Sequence, residues 1–389
     1  MKILSNVRSA MRRELRIMVQ RPVYLMASVG VMTFCMVFFS TFFREGVPQD
    51  LPIGVVDLDN TSLSRNMVRQ IDATQLGKTI GFGSYAEARE AMQTGCICAF
   101  FLIPDGMYAD VLSGRQPEFT FYVNSLYMVG GALAYKDLLM MSNMISGGIQ
   151  REVLRGMGLG DEAAMARIQP VAVDSHQIGN AATSYNVYLT NMLVPGILEM
   201  TVILMTVYAL CSELKYGTSR HLLEKSGGSM TAAMTGKLAV YTVLFTAMGI
   251  VCDIFLYHWA GFPLKGSIWN MFLATFLMIL ASEAVGFFIA GTLPVLRIAL
   301  SIAALFSTLA LSLTGFTFPV EALPPAVRGL SVLFPLRHYY LIYVQETIFG
   351  SGFTGWYFQA ICLLLFLLLP LPVYARLRAA YVNQNFPRN

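Results

Sequence analysis

The sequence predicts an α-helical polytopic membrane protein with six transmembrane helices and an α/β extracytoplasmic domain inserted after the first span. Three observations predict this class. The 389 residues are only 13% charged, whereas a soluble domain carries about 25% charged residues. One gap between the apolar stretches, residues 44–189, is far longer than the others. Stretches long enough to cross a bilayer lie at about residues 22–43, 190–211, 236–257, 268–292, 296–317 and 354–375.

Residues 1–21 predict an amphipathic interfacial helix ahead of the first span, 22–43. Apolar residues recur there at helical spacing: Leu4, Val7, Met11, Leu15 and Met18. The other faces carry four arginines: Arg8, Arg12, Arg13 and Arg16. Such a helix can lie in the headgroup layer with its cations toward anionic lipid, and it can also contact a cytoplasmic partner. A plain basic anchor before the span is the alternative.

The distribution of Lys and Arg predicts the orientation. Basic residues cluster in residues 1–21, in the connection after the second span and in the tail 378–389. These segments fall on one side of a six-span protein, and the positive-inside rule makes that side cytoplasmic. Segment 44–189 then faces outward, and residues 190–377 form a five-helix transmembrane region. The net charge of +4 comes from the cytoplasmic edges and does not indicate a nucleic-acid partner.

Segment 44–189 alternates strand and helix patterns, which predicts a small sheet with covering helices. Turn and N-cap residues at 59–62 and at Ser84 precede two of the helices. The strands are predicted at 51–57, 96–103, 119–123 and 171–173, and the helices at 63–71, 85–93 and 128–154.

The chain lacks a nucleotide-binding motif, so the sequence predicts a protein that is not an enzyme. Gly77-Lys78-Thr79 resembles the end of a phosphate-binding loop, but Asp72 stands where the first glycine is required. No catalytic triad or metal-binding spacing can be found, so we expect no catalytic, cofactor or metal residues in this chain.

The predicted coupling loop, residues 212–235, follows the second span. Thr218 is suited to N-cap a short helix that carries Leu222 and Leu223, and Gly227-Gly228 would end that helix. Two exposed leucines would suit docking into a partner's groove. In the alternative interpretation, the leucines fold back on the bundle.

Residues 315–350 predict a re-entrant segment on the outer side. Prolines forbid one continuous helix there, while the composition stays apolar and aromatic, so we expect short helices. The residues that define the segment are Gly315, Phe318, Pro319, Pro324 and Pro335.

Two carboxylates fall within predicted spans, Glu199 in the second and Glu283 in the fourth. A charge at the bilayer centre costs at least about 2.5 kcal/mol, so such residues face protein or water. They are candidates for a translocation route that favours cationic or amphipathic cargo. The alternative is a protonated or hydrogen-bonded helix contact.

In this order, the patterns resemble the permease subunits of the ABC type-2 exporter family, in the branch with a large extracytoplasmic domain. Three further patterns that fit are residues 55–65, Val194-Pro195-Gly196 and the re-entrant segment. Arg220 departs from the acidic residue that the family usually has there. The residues similar to the family's ATPase-coupling loop are Glu213, Gly217, Thr218, Arg220, Leu222, Leu223, Gly236 and Lys237.

The resemblance implies a subunit that exports a hydrophobic or amphipathic substrate, such as a drug, a lipid or a peptide, across the inner membrane. A separate ATP-binding-cassette subunit would hold ATP and Mg²⁺. A second permease chain, identical or different, and a periplasmic adaptor are the other partners implied. Both termini would be cytoplasmic. The alternative is a receptor or scaffold that acts through its extracytoplasmic domain without transport.

Overall fold

The computed structural model describes residues 2–44, 46, 49–73, 77–124, 128–170, 176–181 and 183–384. Contacts divide the chain into two compact units. The insert unit comprises Glu45–His176, and the membrane unit comprises Met1–Arg44 with Gln177–Asn389. Each unit has a hydrophobic core of its own.

The insert unit is a four-stranded sheet with helices on both faces. Its strands have the order β2-β1-β3-β4, in which β1 pairs in parallel with β2 and β3, and β4 is antiparallel to β3. The strands are β1 (Leu51–Asp57), β2 (Gly77–Gly81), β3 (Ala99–Ile103) and β4 (Thr120–Val123). The predicted strand 171–173 lies outside the described residues.

Side chains alternate between the two faces of this sheet and meet different helices. Phe101 packs with the helices on one face, while its neighbour Phe100 packs with the helix on the other. The helices are α3 (Ser62–Asp72), α4 (Tyr85–Gln93), α5 (Met107–Leu112), α6 (Met128–Gly156) and α7 (Asp161–Ile168). Thr61 and Ser84 cap α3 and α4 as the sequence predicts. The residues that resemble a phosphate loop form edge strand β2, which the pattern did not predict.

The membrane unit begins with the amphipathic helix α1 (Lys2–Gln20), and its described residues contain six helices long and apolar enough to cross a bilayer. This confirms the predicted number of spans. The spans are α2 (Pro22–Phe42), α8 (Asn186–Lys215), α10 (Met230–Trp259), α11 (Ile268–Thr292), α12 (Leu296–Leu313) and α15 (Phe353–Asn383). Helices α8 and α11 are the most buried of the six, so they form the centre of the bundle.

Short helices connect some of these spans. Helix α9 (Ser219–Lys225) lies between α8 and α10. The predicted re-entrant segment is a broken path of a 3₁₀ turn (Val320–Ala322), α13 (Pro325–Ser331), α14 (Pro335–Tyr343) and a π turn (Val344–Phe349). Pro325 and Pro335 each begin a helix, where a missing N–H costs nothing. The prolines therefore divide the segment into short helices, as predicted.

Candidate functional site

Four charged side chains from three separate segments meet in the interior of the membrane unit. We call Arg13, Glu14, Glu213 and Lys237 the ionic cluster. The Lys237 ammonium lies 2.6 Å from a Glu14 oxygen and 2.9 Å from a Glu213 oxygen. The Arg13 guanidinium binds both Glu213 oxygens, at 2.7 and 2.9 Å. The cluster thereby joins α1, the end of α8 and the beginning of α10.

The ionic cluster is nearly closed to solvent. Glu14 is 0% exposed and Lys237 is 1% exposed at the side chain. Two hydroxyls complete the coordination, because Tyr241 donates to Glu14 at 2.7 Å and Thr218 donates to Glu213. Two carboxylates balance two cations, which is the condition for keeping charges buried.

Arg13 lies at the edge of the cluster, with 13% of its side chain exposed. Burial by itself would lower the pKa of its guanidinium, but the hydrogen bonds and the charge of Glu213 outweigh that effect and raise the pKa. Arg13 therefore stays cationic and forms a paired, forked contact with Glu213.

Close helix packing makes this cluster possible. A Cβ atom on Gly236 would lie 2.6 Å from both the Ala10 Cβ and the Val7 carbonyl oxygen. Glycine therefore lets α10 approach α1 closely one residue before Lys237. The short distance between the helix axes brings the Lys237 ammonium within reach of Glu14.

Helix α1 buries the face that carries Glu14. Ala10, Glu14 and Met18 are buried, whereas Leu4 is 80% exposed and Leu15 is 50% exposed. The carboxylate of Glu14 therefore faces Lys237 of α10.

The four predicted interfacial arginines therefore separate into two groups. Arg8, Arg12 and Arg16 are exposed, as expected for cations that face a headgroup layer or a partner. Arg13 instead turns inward and binds Glu213.

The short helix α9 also differs from the docking interpretation. Leu222 is fully buried against the bundle and Leu223 is half-buried, so the leucines fold back as the alternative predicted. Thr218 occupies the N-cap position without capping the helix, because its hydroxyl is bound to Glu213. Gly227 and Gly228, both with positive φ, end the helix as predicted.

The exposed side of α9 is polar instead of apolar. It presents Arg220, His221, Glu224 and Lys225, and the neighbouring Gly217 is also exposed. A partner that binds this helix would therefore meet mixed charges.

Both intramembrane carboxylates lie inside the unit. Thr242 donates to Glu283 at 2.7 Å, while the second Glu283 oxygen has no partner among the described residues. Glu199 is fully buried, and neither of its carboxylate oxygens has a hydrogen-bond partner among the described residues. Neither residue lies on an exposed face of the unit.

The re-entrant segment is held by two residues that the sequence analysis missed. Arg337 donates to the Thr314 carbonyl at 2.7 Å, beside Gly315 with φ +97°. The buried Glu346 accepts from the Ser267 amide at 2.6 Å, where α11 begins. Phe318 is 49% exposed, so it does not pack in the interior of the re-entrant segment. Pro319 and Pro324 are the N-caps of the two following short helices.

The described residues form six helices long enough to cross a bilayer. The cationic helix α1 is bound to α8 and α10 through the ionic cluster. Together these features define a polytopic membrane protein. A sequence model described as ABC-2 family transporter protein matches residues 22–373. The chain therefore belongs to the ABC-2 transporter family. It is 23% identical over 314 residues to the inner membrane transport permease YhhJ of Escherichia coli (strain K12), a match that covers 78% of each chain. The permease of the same name from Shigella flexneri is similar to the same extent.

Proposed function

We propose that this chain is the membrane-spanning permease subunit of an exporter driven by a separate ATP-binding-cassette ATPase. Its cargo would be hydrophobic or amphipathic and would move outward. The observation that carries the proposal is the ionic cluster, which fastens α1 to the loop that resembles the coupling loop and to α10. A force applied to that loop would reach three segments of the membrane unit together.

The exposed face of α9 is the proposed contact with the ATPase. Leu222 is buried, so Arg220, His221, Glu224 and Lys225 take the role that the leucines were predicted to have. Exposed mixed charges give specificity and orientation in a protein interface. The ATPase would bring ATP and Mg²⁺.

A second permease chain is proposed as the other membrane partner. Helix α12 exposes Ile298, Ile302, Leu305 and Leu309, together with the hydroxyl residues Ser301 and Thr308. A face that mixes apolar and hydroxyl side chains suits helix packing inside a membrane better than contact with lipid tails alone. We propose that this face lies toward the second chain.

The orientation follows the charge distribution of the sequence. Both termini would be cytoplasmic and the insert unit extracytoplasmic, in a cell (inner) membrane. The similarity to YhhJ, an inner membrane transport permease, supports this location. In that arrangement the insert unit could gate release or bind a periplasmic adaptor.

Affinity purification of the tagged chain in mild detergent, with mass spectrometry and an ATPase assay, tests the proposal. We expect a stoichiometric ATP-binding-cassette subunit with ATPase activity. A charge exchange in α9, Glu224→Arg with Lys225→Glu, should release that subunit without changing the net charge. The matched control exchanges another exposed pair, Glu152→Arg with Arg155→Glu in the insert unit. Recovery without any ATPase would instead favour a receptor or scaffold.

A cargo route past Glu199 and Glu283 stays a prediction. Because both carboxylates are enclosed, the helices would have to separate before cargo could reach them. Glu199→Gln should then weaken efflux of cationic compounds more than efflux of neutral ones. Equal loss for both classes would assign Glu199 to helix packing.

A further inference from the structure

The last helix, α15, is bound near its C-terminal end to the predicted coupling loop. The Ser219 hydroxyl donates to the Tyr381 carbonyl at 3.0 Å, and the Gln384 side chain donates to the Gly217 carbonyl at 2.9 Å. The Tyr381 hydroxyl donates to the Leu210 carbonyl at 2.7 Å, and the tyrosine is fully buried. This end of α15 therefore binds both α9 and the end of α8.

The other end of α15 is bound to the re-entrant segment. The Trp356 indole donates to Glu346 at 2.9 Å, and Gln359 hydrogen-bonds to the His338 ring at 2.7 Å. Trp356 is fully buried, as is Glu346. The same Glu346 carboxylate accepts from the Asn270 side chain at 2.9 Å, so this connection includes the beginning of α11.

Between its two ends, α15 packs along α11. It spans Phe353–Asn383, with one 3₁₀ turn at Phe366–Leu368. A Cβ atom on Gly291 of α11 would lie 2.6 Å from a methyl carbon of Val373, so the two helices are in close contact. Contacts with α11 lie on both sides of the 3₁₀ turn, so α11 supports both halves of α15.

We propose that α15 is a connecting rod that carries a displacement of α9 to the re-entrant segment. The proposal rests on the proposed function, because ATPase docking would supply the displacement. Ser219 and Tyr381 are positioning residues at one end of the rod, and Trp356 and Gln359 are positioning residues at the other.

Hydrogen exchange on the full chain in lipid nanodiscs, without the ATPase, tests this link. The variant is Ser219→Ala with Tyr381→Phe, which removes two hydroxyls and keeps the buried ring. Exchange of amides 217–226 should rise about fivefold, because the Ser219 bond to the Tyr381 carbonyl is lost. Exchange of amides 335–347, in the re-entrant segment, should also rise about fivefold. This value is at the low end of the range for energetic coupling between two linked sites.

Tyr357→Phe is the matched control, because this α15 tyrosine is 53% exposed. It should leave both regions unchanged. A rise confined to 217–226 would overturn the rod and reduce α15 to a local anchor. No rise in either region would also overturn the proposal. The exchange experiment needs no ATPase, so it tests the link through α15 alone. The proposed function is tested separately, by the purification of the wild-type chain with its ATPase.

Discussion

Replacing Lys237 with methionine tests whether the ionic cluster holds the membrane unit together. Methionine keeps the length of the stem but removes the ammonium, which bridges Glu14 and Glu213 at 2.6 and 2.9 Å. Two buried carboxylates then share one guanidinium, Arg13. Removing one partner of a buried ion pair costs about 3–5 kcal/mol, because the remaining charge is uncompensated.

Thermal unfolding of the purified chain measures this loss. For a chain of this size a change of 1 kcal/mol shifts the Tm by about 1 °C, so Lys237→Met should lower the Tm by about 4–6 °C. Lys215→Met is the control, because the Lys215 ammonium lies over the exposed Tyr216 ring at 5.5 Å and outside the cluster. It should shift the Tm by about 1 °C or less, as expected for an exposed cation–π contact.

A double variant separates charge balance from general damage. Lys237→Met with Glu14→Gln restores neutrality, since Arg13 and Glu213 remain as a pair. It should therefore be more stable than Lys237→Met alone, with an interaction free energy of about 1–3 kcal/mol. Equal Tm values for Lys237→Met and the Lys215 control, or strictly additive effects in the double variant, would refute the role of the cluster.

Three further substitutions test separate contacts. Gly236→Val should push α1 away from α10 at Ala10, which would be measured as a loss of cysteine cross-linking between the two helices. The overpacking should also cost about 1–3 kcal/mol of stability. Glu346→Gln replaces a carboxylate that accepts three hydrogen bonds and should cost about 1.5–3 kcal/mol in thermal unfolding, whereas exposed Glu321→Gln should have little effect. Asp57→Ala removes the acceptor that orders the turn before α3, so limited proteolysis should cut that turn faster.

Local patterns were sufficient to predict much of the architecture. Six bilayer-length helices, the short helices after Pro324 and the capping of α3 by Thr61 follow from composition, proline chemistry and N-cap preference. These features depend on residues close together in sequence.

Edge strand β2 was missed because a five-residue run rich in glycine carries little strand signal, and only pairing with β1 stabilises it.

The sequence also contained an unused indication of the site. Glu14 is the lone acidic residue of α1, and it lies among cations on an otherwise basic helix. Lys237 lies at the start of an apolar span. Each residue is unfavourable in its own segment, which indicates a partner elsewhere, but spacing could not identify that partner.

By itself, the sequence determined which segments are apolar enough to enter a membrane and where the helices must break. The tertiary structure alone decided the rotation of α1, the burial of Leu222 and the joining of Arg13, Glu14, Glu213 and Lys237. The physical reason is that hydropathy is a property of each segment, whereas charge pairing requires groups more than 200 positions apart in the chain to meet within 3 Å, as Lys237 and Glu14 do at 2.6 Å.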